Sequence, residues 1–270
     1  MTILLLETAT AVCSVALARD GEVLAELHSD QPNAHSSRLP LFVEQLFEQC
    51  HITPKQLDAV CVSSGPGSYT GLRIGVSSAK GFCYALSIPL LSVPTLQGMA
   101  AQYYAQHPEY HGMVCPMIDA RRMECYTAII EMENRKGLPP CKPFSCKPIL
   151  IENHPSAATK FSILNSQFSI LKPTSADIIE PGIYDDYLNR GEVMFIGDGA
   201  EKTREILGIH PNARYDTDFR ISATGMLPIA MQRLQAGQVE DVAYFEPFYL
   251  KDFVAKKSVV RGLKEVRTKN

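Results

Sequence analysis

Residues 5–17 read LLETATAVCSVAL, and residues 116–129 read PMIDARRMECYTAI. Laid over one another at an offset of 112, Glu7 meets Asp119, Cys13 meets Cys125 and Ala16 meets Ala128. Both stretches read as strand, acidic residue, short polar turn, strand. The order of elements around them repeats too, which predicts a duplicated α/β unit.

Working outward, the apolar runs Ile3–Leu6 and Val12–Ala18 and the alternating Glu22–His28 predict three strands, with Arg19-Asp20-Gly21 as the turn between the last two. Ser36 or Ser37 caps a helix predicted to run to Cys50, with Leu39, Val43, Leu46, Phe47 and Cys50 on one face and Pro40 in its first turn. Thr53-Pro54 opens a short helix and Ala59–Ser63 reads as a buried strand. A second long helix is predicted over Leu72–Leu86. Leu72, Val76, Ala79, Cys83 and Leu86 share one face, and Gly75, Ser78 and Gly81 lie on the side that would admit another helix closely. Leu90–Val93 is a strand and Pro94-Thr95 begins another helix. After the polar break at 107–112 the second copy is less regular, with many prolines and few clean periods over 132–192. Order returns at Val193–Ile196, then GDGAEKT and a helix to Leu207, then a Ser222-capped helix ended by Gly237. The predicted organisation is a first lobe at 1–108, a degenerate second lobe at 109–238, and a crossing segment with a basic tail at 239–270.

Of 270 residues, 46% are apolar and 20% charged, the composition of a folded globular chain. No run approaches the ~20 apolar residues of a membrane span, and the start lacks a signal peptide's basic and apolar regions, so the expected location is cytoplasmic, with no membrane partner. Six of the eight cysteines sit in apolar stretches and read as reduced structural thiols; Cys141 and Cys146 lie in a Pro/Lys-rich loop without a metal-ligand pattern. The net charge of −3 argues against a whole surface that grips nucleic acid. Residues 251–270, however, hold seven bases and two acids, a net +5 against −8 for the rest. That tail reads either as a solvated terminus or as an arm touching RNA or an acidic partner.

The richest segment for chemistry is GPGSYTGLRIG at 65–75, between a strand and a helix. It is not a P-loop, because no Lys-Ser/Thr follows the last glycine, and its GxGxxxG spacing is not the dinucleotide fingerprint. Gly65, Gly67, Ser68, Thr70, Gly71 and Arg73 read as an interaction or phosphate-facing loop at a helix start. Glu7 and Asp119 close the first strand of each copy, beside Thr8 and Thr10, where acids either hold a metal-bound phosphate or cap their own turns. Gly197 and Gly199 form the second copy's glycine loop. His107 and His111 have a metal-ligand spacing broken by Pro108 and read as a surface pair, and His35 stands alone. Ser68 lacks the glycines of a GxSxG nucleophile elbow.

The stretches at 4–17, 35–40, 63–82, 92–100, 116–128 and 246–251 resemble the bacterial TsaB family, also called YeaZ. The resemblance implies a duplicated actin-like (ASKHA, ribonuclease H-like) fold of two lobes. It also implies a place in the complex that puts threonylcarbamoyl on adenosine 37 of tRNA. In that family the transferase is the relative TsaD, whose metal is held by HxxxH on a first-lobe helix; here His35 is followed by Leu39, so the second ligand is missing. The expectation is therefore a non-catalytic scaffold that binds and activates TsaD, forms homodimers when alone, and meets the P-loop ATPase TsaE at the TsaB–TsaD junction. ATP or ADP would belong to that assembly, with no cofactor or metal required by this chain, and tRNA would be met indirectly or through the tail. The implied partner surface comprises the helices at 37–50 and 72–86, with Leu39, Val43, Leu72, Gly75, Val76, Ser78, Ala79 and Phe82. The family more often has Asp where this chain has Glu7. The competing expectation is a nucleotide-binding ATPase or phosphotransferase using Glu7, Asp119 and both glycine loops; a glycoprotease-type peptidase is disfavoured by the lack of a nucleophile–base pair.

Overall fold

The structure, a computed structural model, describes residues 1–31, 35–132 and 168–251. The first lobe runs β1 (Thr2–Glu7), β2 (Cys13–Arg19), β3 (Glu22–Ser29), α1 (His35–Gln49), β4 (Ala59–Ser63), α2 (Tyr69–Leu86), β5 (Leu90–Val93) and α3 (Thr95–Gln106). The second runs β6 (Met113–Asp119), β7 (Glu124–Met132), β8 (Phe168–Ile178), α4 (Asp185–Leu188), β9 (Val193–Ile196), α5 (Arg204–Leu207), β10 (Ala213–Asp216) and α6 (Leu227–Gln235). The first sheet is ordered β3-β2-β1-β4-β5 and the second, read from its matching edge, β8-β7-β6-β9-β10. In each, two antiparallel pairings are followed by two parallel ones. This is the duplicated two-lobe architecture of the actin-like fold.

Alternation along the strands sorts the apolar residues into three layers. Leu4 and Leu6, with Val15, Leu17, Val60 and Val62, pack outward against Leu39, Val43 and Leu46 of α1 and Val76 and Ala79 of α2. Ile3, Leu5, Ala16 and Cys61 face inward and share a core with Met99 and Tyr103 of α3, Val114 and Ile118 of the second sheet, and Leu227 and Ala230 of α6. Met113, Cys115, Met117, Cys125 and Phe195 line the outer side of the second sheet with Tyr184 and Leu207. The middle layer draws on both lobes, so neither lobe buries its inner face alone.

Several sequence expectations need correction. The helix expected from 37 begins at His35, which places Pro40 in the second turn rather than the first; both it and Ser36, whose carbonyl it leaves unbonded, are exposed to water. The helix expected from Leu72 starts at Tyr69, where Ser68 caps it by accepting the Gly71 N–H at 3.3 Å. Thr53-Pro54 opens a single 3₁₀ turn, Pro54–Gln56. Within the stretch read as irregular lies β8, an 11-residue strand whose half-exposed pattern and internal Pro173 concealed its period. Residues 133–167 and the tail from 252, with Cys141 and Cys146, lie outside the described residues.

The repeat is also out of step by one residue. Glu7 pairs with Ser14 across β1 and β2, whereas Ile118, not Asp119, holds that level opposite Tyr126 in β6 and β7, once Cys13 and Cys125 are matched on their outer faces. The second hairpin turn is one residue longer. Because side chains alternate, this slip sends Glu7 to the inner face of its sheet and Asp119 to the outer face of the other.

Candidate functional site

The ends of β1 and β4 and the start of α2 come together through contacts that glycine alone permits. A Cβ on Gly67 would collide with the carbonyl of Ala9, one on Gly71 with the carbonyl of Thr8, and one on Gly65, whose φ is +107°, with the carbonyl of Phe248. Ser68 N–H donates to Ala9 O at 2.6 Å, and Gly65 N–H donates to the Thr95 hydroxyl at 3.1 Å. The loop read as facing phosphate therefore seats the chain's own β1–β2 turn and C-terminal segment, and these two amides are occupied by protein. In the second lobe the same device recurs: a Cβ on Gly197 would strike the carbonyl of Met117, and one on Gly199 would stand 3.0 Å from the carbonyl carbon of Ile118.

Glu7 is 1% exposed. Its Oε1 accepts the Ala9 N–H at 2.7 Å and the Ser63 hydroxyl at 2.8 Å. Burial pushes its pKa up to about 7, against the lowering pull of these hydrogen bonds. Beside it the Thr8 hydroxyl is buried with no hydrogen-bond partner, and Thr10 accepts the Val12 N–H at 3.2 Å. Asp119 has a different setting. It accepts the Arg121 N–H at 2.8 Å and is ion-paired with Lys202. Lys202 also donates to the carbonyls of Arg122 at 2.9 Å and Glu124 at 2.7 Å, which fixes the β6–β7 turn. Both acids thus cap their own turns, and the register slip keeps them from equivalent positions.

The residues expected to meet a partner divide sharply. Leu39, Val43, Leu72, Gly75, Val76 and Ala79 are buried under the first sheet's outer face; a Cβ on Gly75 would collide with the Thr8 hydroxyl. Their apolar spacing marks the helix face that folds inward. Ser78 and Phe82 are half-buried at its margin. The outward face of α2 carries Thr70, Arg73, Ser77, Gly81, Tyr84 and Ala85, with Tyr84 83% exposed and open space where a Gly81 Cβ would stand.

Sequence reasoning missed how residues 239–251 are bound beside this face, along the flank of α2 and the loop before it. Lys80 donates to the carbonyls of Ala243 and Phe245 at 3.0 and 3.1 Å, and Phe248 N–H donates to Ser64 O at 2.7 Å. The Tyr249 ring packs against Tyr69 at a tilt of 40°, 4.8 Å between centres, and the Arg73 guanidinium lies 4.4 Å from the Tyr69 ring centre. Nothing in local spacing signals pairings across more than 160 residues. The lone His35 is buried with Nε2 unpartnered. His107 stacks on Tyr103 at 4.4 Å. Among the described residues no three His, Cys, Asp or Glu side chains cluster as metal ligands, six cysteines are free, and no helix is long and apolar enough to cross a membrane.

A family model described as TsaD, tRNA N6-adenosine threonylcarbamoyltransferase, matches residues 22–259. Among curated proteins, the tRNA threonylcarbamoyladenosine biosynthesis protein TsaB of Bacillus subtilis is 37% identical over 134 residues, 50% of this chain and 57% of that protein. The chain thus spans little more than half of that relative's length. TsaB of Escherichia coli is 27% identical over 260 residues, 96% of this chain and 98% of that protein. The chain belongs to the TsaB (YeaZ) family. A solved YeaZ of Pseudomonas aeruginosa superposes with a TM-score of 0.69 at 23% identity, covering 92% of this chain and 99% of that one. A second Pseudomonas aeruginosa structure, described as similar to peptidase YeaZ, gives 0.71 at 22% identity, covering 93% and 99%. These likenesses establish the TsaB fold from first lobe to second.

Proposed function

We propose that this chain serves tRNA threonylcarbamoyladenosine biosynthesis as a non-catalytic docking subunit that binds TsaD through the outward face of α2. The observation that carries the reading is the pairing of a filled strand-end loop with an open helix face. The glycine loop, the turn at Thr8–Ala9 and Phe248 occupy one another, and Glu7 is spent on its own turn and Ser63. Small residues on α2, Ser77, Gly81 and Ala85, meanwhile leave room for a second helix to approach closely. TsaE would join at the TsaB–TsaD junction, and in the absence of TsaD the same face would serve a homodimer.

The contact residues in this reading shift from the inward face to Ser77, Ser78, Gly81, Phe82, Tyr84 and Ala85. Size-exclusion chromatography of the chain mixed with TsaD tests it. Co-elution is expected for the parent, and separate elution for Ser77→Arg/Gly81→Arg with an unchanged circular dichroism spectrum. Co-elution of that variant would place the contact elsewhere. Separate elution of the parent, with and without nucleotide, would remove the docking role.

A further inference from the structure

The β6–β7 turn holds an anomaly that the docking reading leaves unused. Arg121 and Arg122 both adopt left-handed backbone, with φ of +70° and +51°, at positions where glycine or asparagine would be the relaxed choice. Both are exposed. Their turn is braced from beneath by Lys202, whose ammonium reaches the Arg122 and Glu124 carbonyls. The brace fixes the backbone, and the guanidinium groups are left to solvent.

The C-terminal segment arrives at this same turn. Lys251 is ion-paired with Glu124. Two residues earlier the Tyr249 ring packs at a tilt against Tyr69, and its hydroxyl accepts from Arg73 Nε at 3.4 Å. Arg73, Tyr69, Tyr249, Lys251, Arg121 and Arg122 therefore follow one another from the start of α2 to the second lobe. Guanidinium forks suit phosphate oxygens, and tyrosine faces suit unstacked bases. On this path Lys251 is ion-paired with Glu124 and Lys202 with Asp119, which leaves Arg121 and Arg122 as its solvent-exposed guanidinium groups in the second lobe.

We propose that Arg121 and Arg122 are phosphate-contacting residues for RNA, at the end of a basic and aromatic track that runs through Arg73, Tyr249 and Lys251. The proposal rests on the tRNA-modification reading for its choice of RNA over an acidic protein, but not on the α2 interface. The left-handed turn is kept at a cost because it aims two adjacent guanidinium groups outward.

The test is Arg121→Gly/Arg122→Gly in the full chain, alone and mixed with TsaD, titrated with an unmodified tRNA transcript between about 50 and 300 mM salt. Glycine relieves the positive φ, so the variant should melt no lower than the parent and co-elute with TsaD as the parent does. Binding should weaken about tenfold near 100 mM salt, and the log–log salt slope should become shallower by about 1.5, the loss of two phosphate contacts. Unchanged affinity and slope would overturn the proposal while leaving the docking role intact; failure of the parent to meet TsaD would do the reverse. A parent that binds no tRNA in either form, or a variant that keeps tRNA and instead loses an acidic protein partner, would also overturn it.

Discussion

One helix supplies its own control for the packing argument. Gly71 and Gly81 both lie in α2, yet a Cβ at Gly71 would drive into the Thr8 carbonyl while one at Gly81 meets nothing within 4 Å. The same chemical change should therefore act with opposite sign. At Gly81 an alanine removes the excess backbone freedom of the unfolded chain and should stabilise by about 1 kcal/mol. At Gly71 the propensity gain is small in the first turn, and the obstacle is backbone that cannot swing aside, so overpacking should cost about 1–3 kcal/mol. In a chain of this size each kcal/mol moves the melting temperature about 2–4 °C. Thermal denaturation of Gly71→Ala and Gly81→Ala followed by circular dichroism reads the difference directly. A Gly71→Ala protein as stable as the parent would show that the loop does not clamp the β1–β2 turn. A destabilised Gly81→Ala would show that the outward face of α2 is covered within the monomer.

Other outcomes follow from the buried charges. Glu7, with a folded pKa of about 7 raised by burial, binds more protons folded than unfolded between about pH 4.5 and 7, so its contribution falls as pH rises through that window and is lowest above it. Glu7→Gln should thus match the parent in urea midpoint at pH 5 and exceed it at pH 8, by up to about 3 kcal/mol; equal losses at both pH values would contradict the buried, unpaired setting. In the second lobe burial raises the Asp177 pKa, but hydrogen bonds from Lys172, Thr127, Tyr184 and Ser175 outweigh it and hold the carboxyl below the usual range. Its contribution is present above the unfolded carboxylate range and lost as pH falls through the folded value. Asp177→Ala, which takes from the buried Tyr184 hydroxyl its 2.7 Å acceptor and leaves it only Thr127 Oγ1 at 3.1 Å, should cost about 2–4 kcal/mol at pH 7, and a loss under about 1 kcal/mol would refute the network. Lys80→Ala should speed amide hydrogen exchange across 243–248 while leaving α6 protected, since two carbonyls lose their donor; uniform protection would mean that the segment is held by its apolar contacts.

Local pattern was enough for the first lobe because its central strands are short unbroken apolar runs buried on both faces, Leu4 and Leu6 on one and Ile3 and Leu5 on the other, and its helices bury one well-defined face each, as with Leu39, Val43 and Leu46 along α1. The repeat was legible for the same reason, with Cys13 and Cys125 outward and Ala16 and Ala128 inward. Spacing could place neither β8, whose half-exposed residues carry little periodic signal, nor the face of a helix that stays open. Apolar periodicity marks the side that packs inward, so it selected Leu72, Val76 and Ala79 and passed over Ser77, Tyr84 and Ala85; of the small residues read as admitting a helix, Gly81 is exposed, Ser78 half-buried and Gly75 buried.

The string GPGSYTG determined by composition alone that something must come very close to this loop, because glycine is required only where a Cβ has no room or φ is positive. What comes close was decided in three dimensions. It is the Thr8–Ala9 turn and the carbonyl of Phe248, brought from some sixty residues upstream and nearly two hundred downstream in the chain. The two acids likewise were visible in the sequence, but the extra residue in the second turn, read only from strand register, put Glu7 and Asp119 on opposite faces of their sheets. Side-chain alternation makes a shift of one residue a change of side, and no pattern in a single strand records which partner it will pair with.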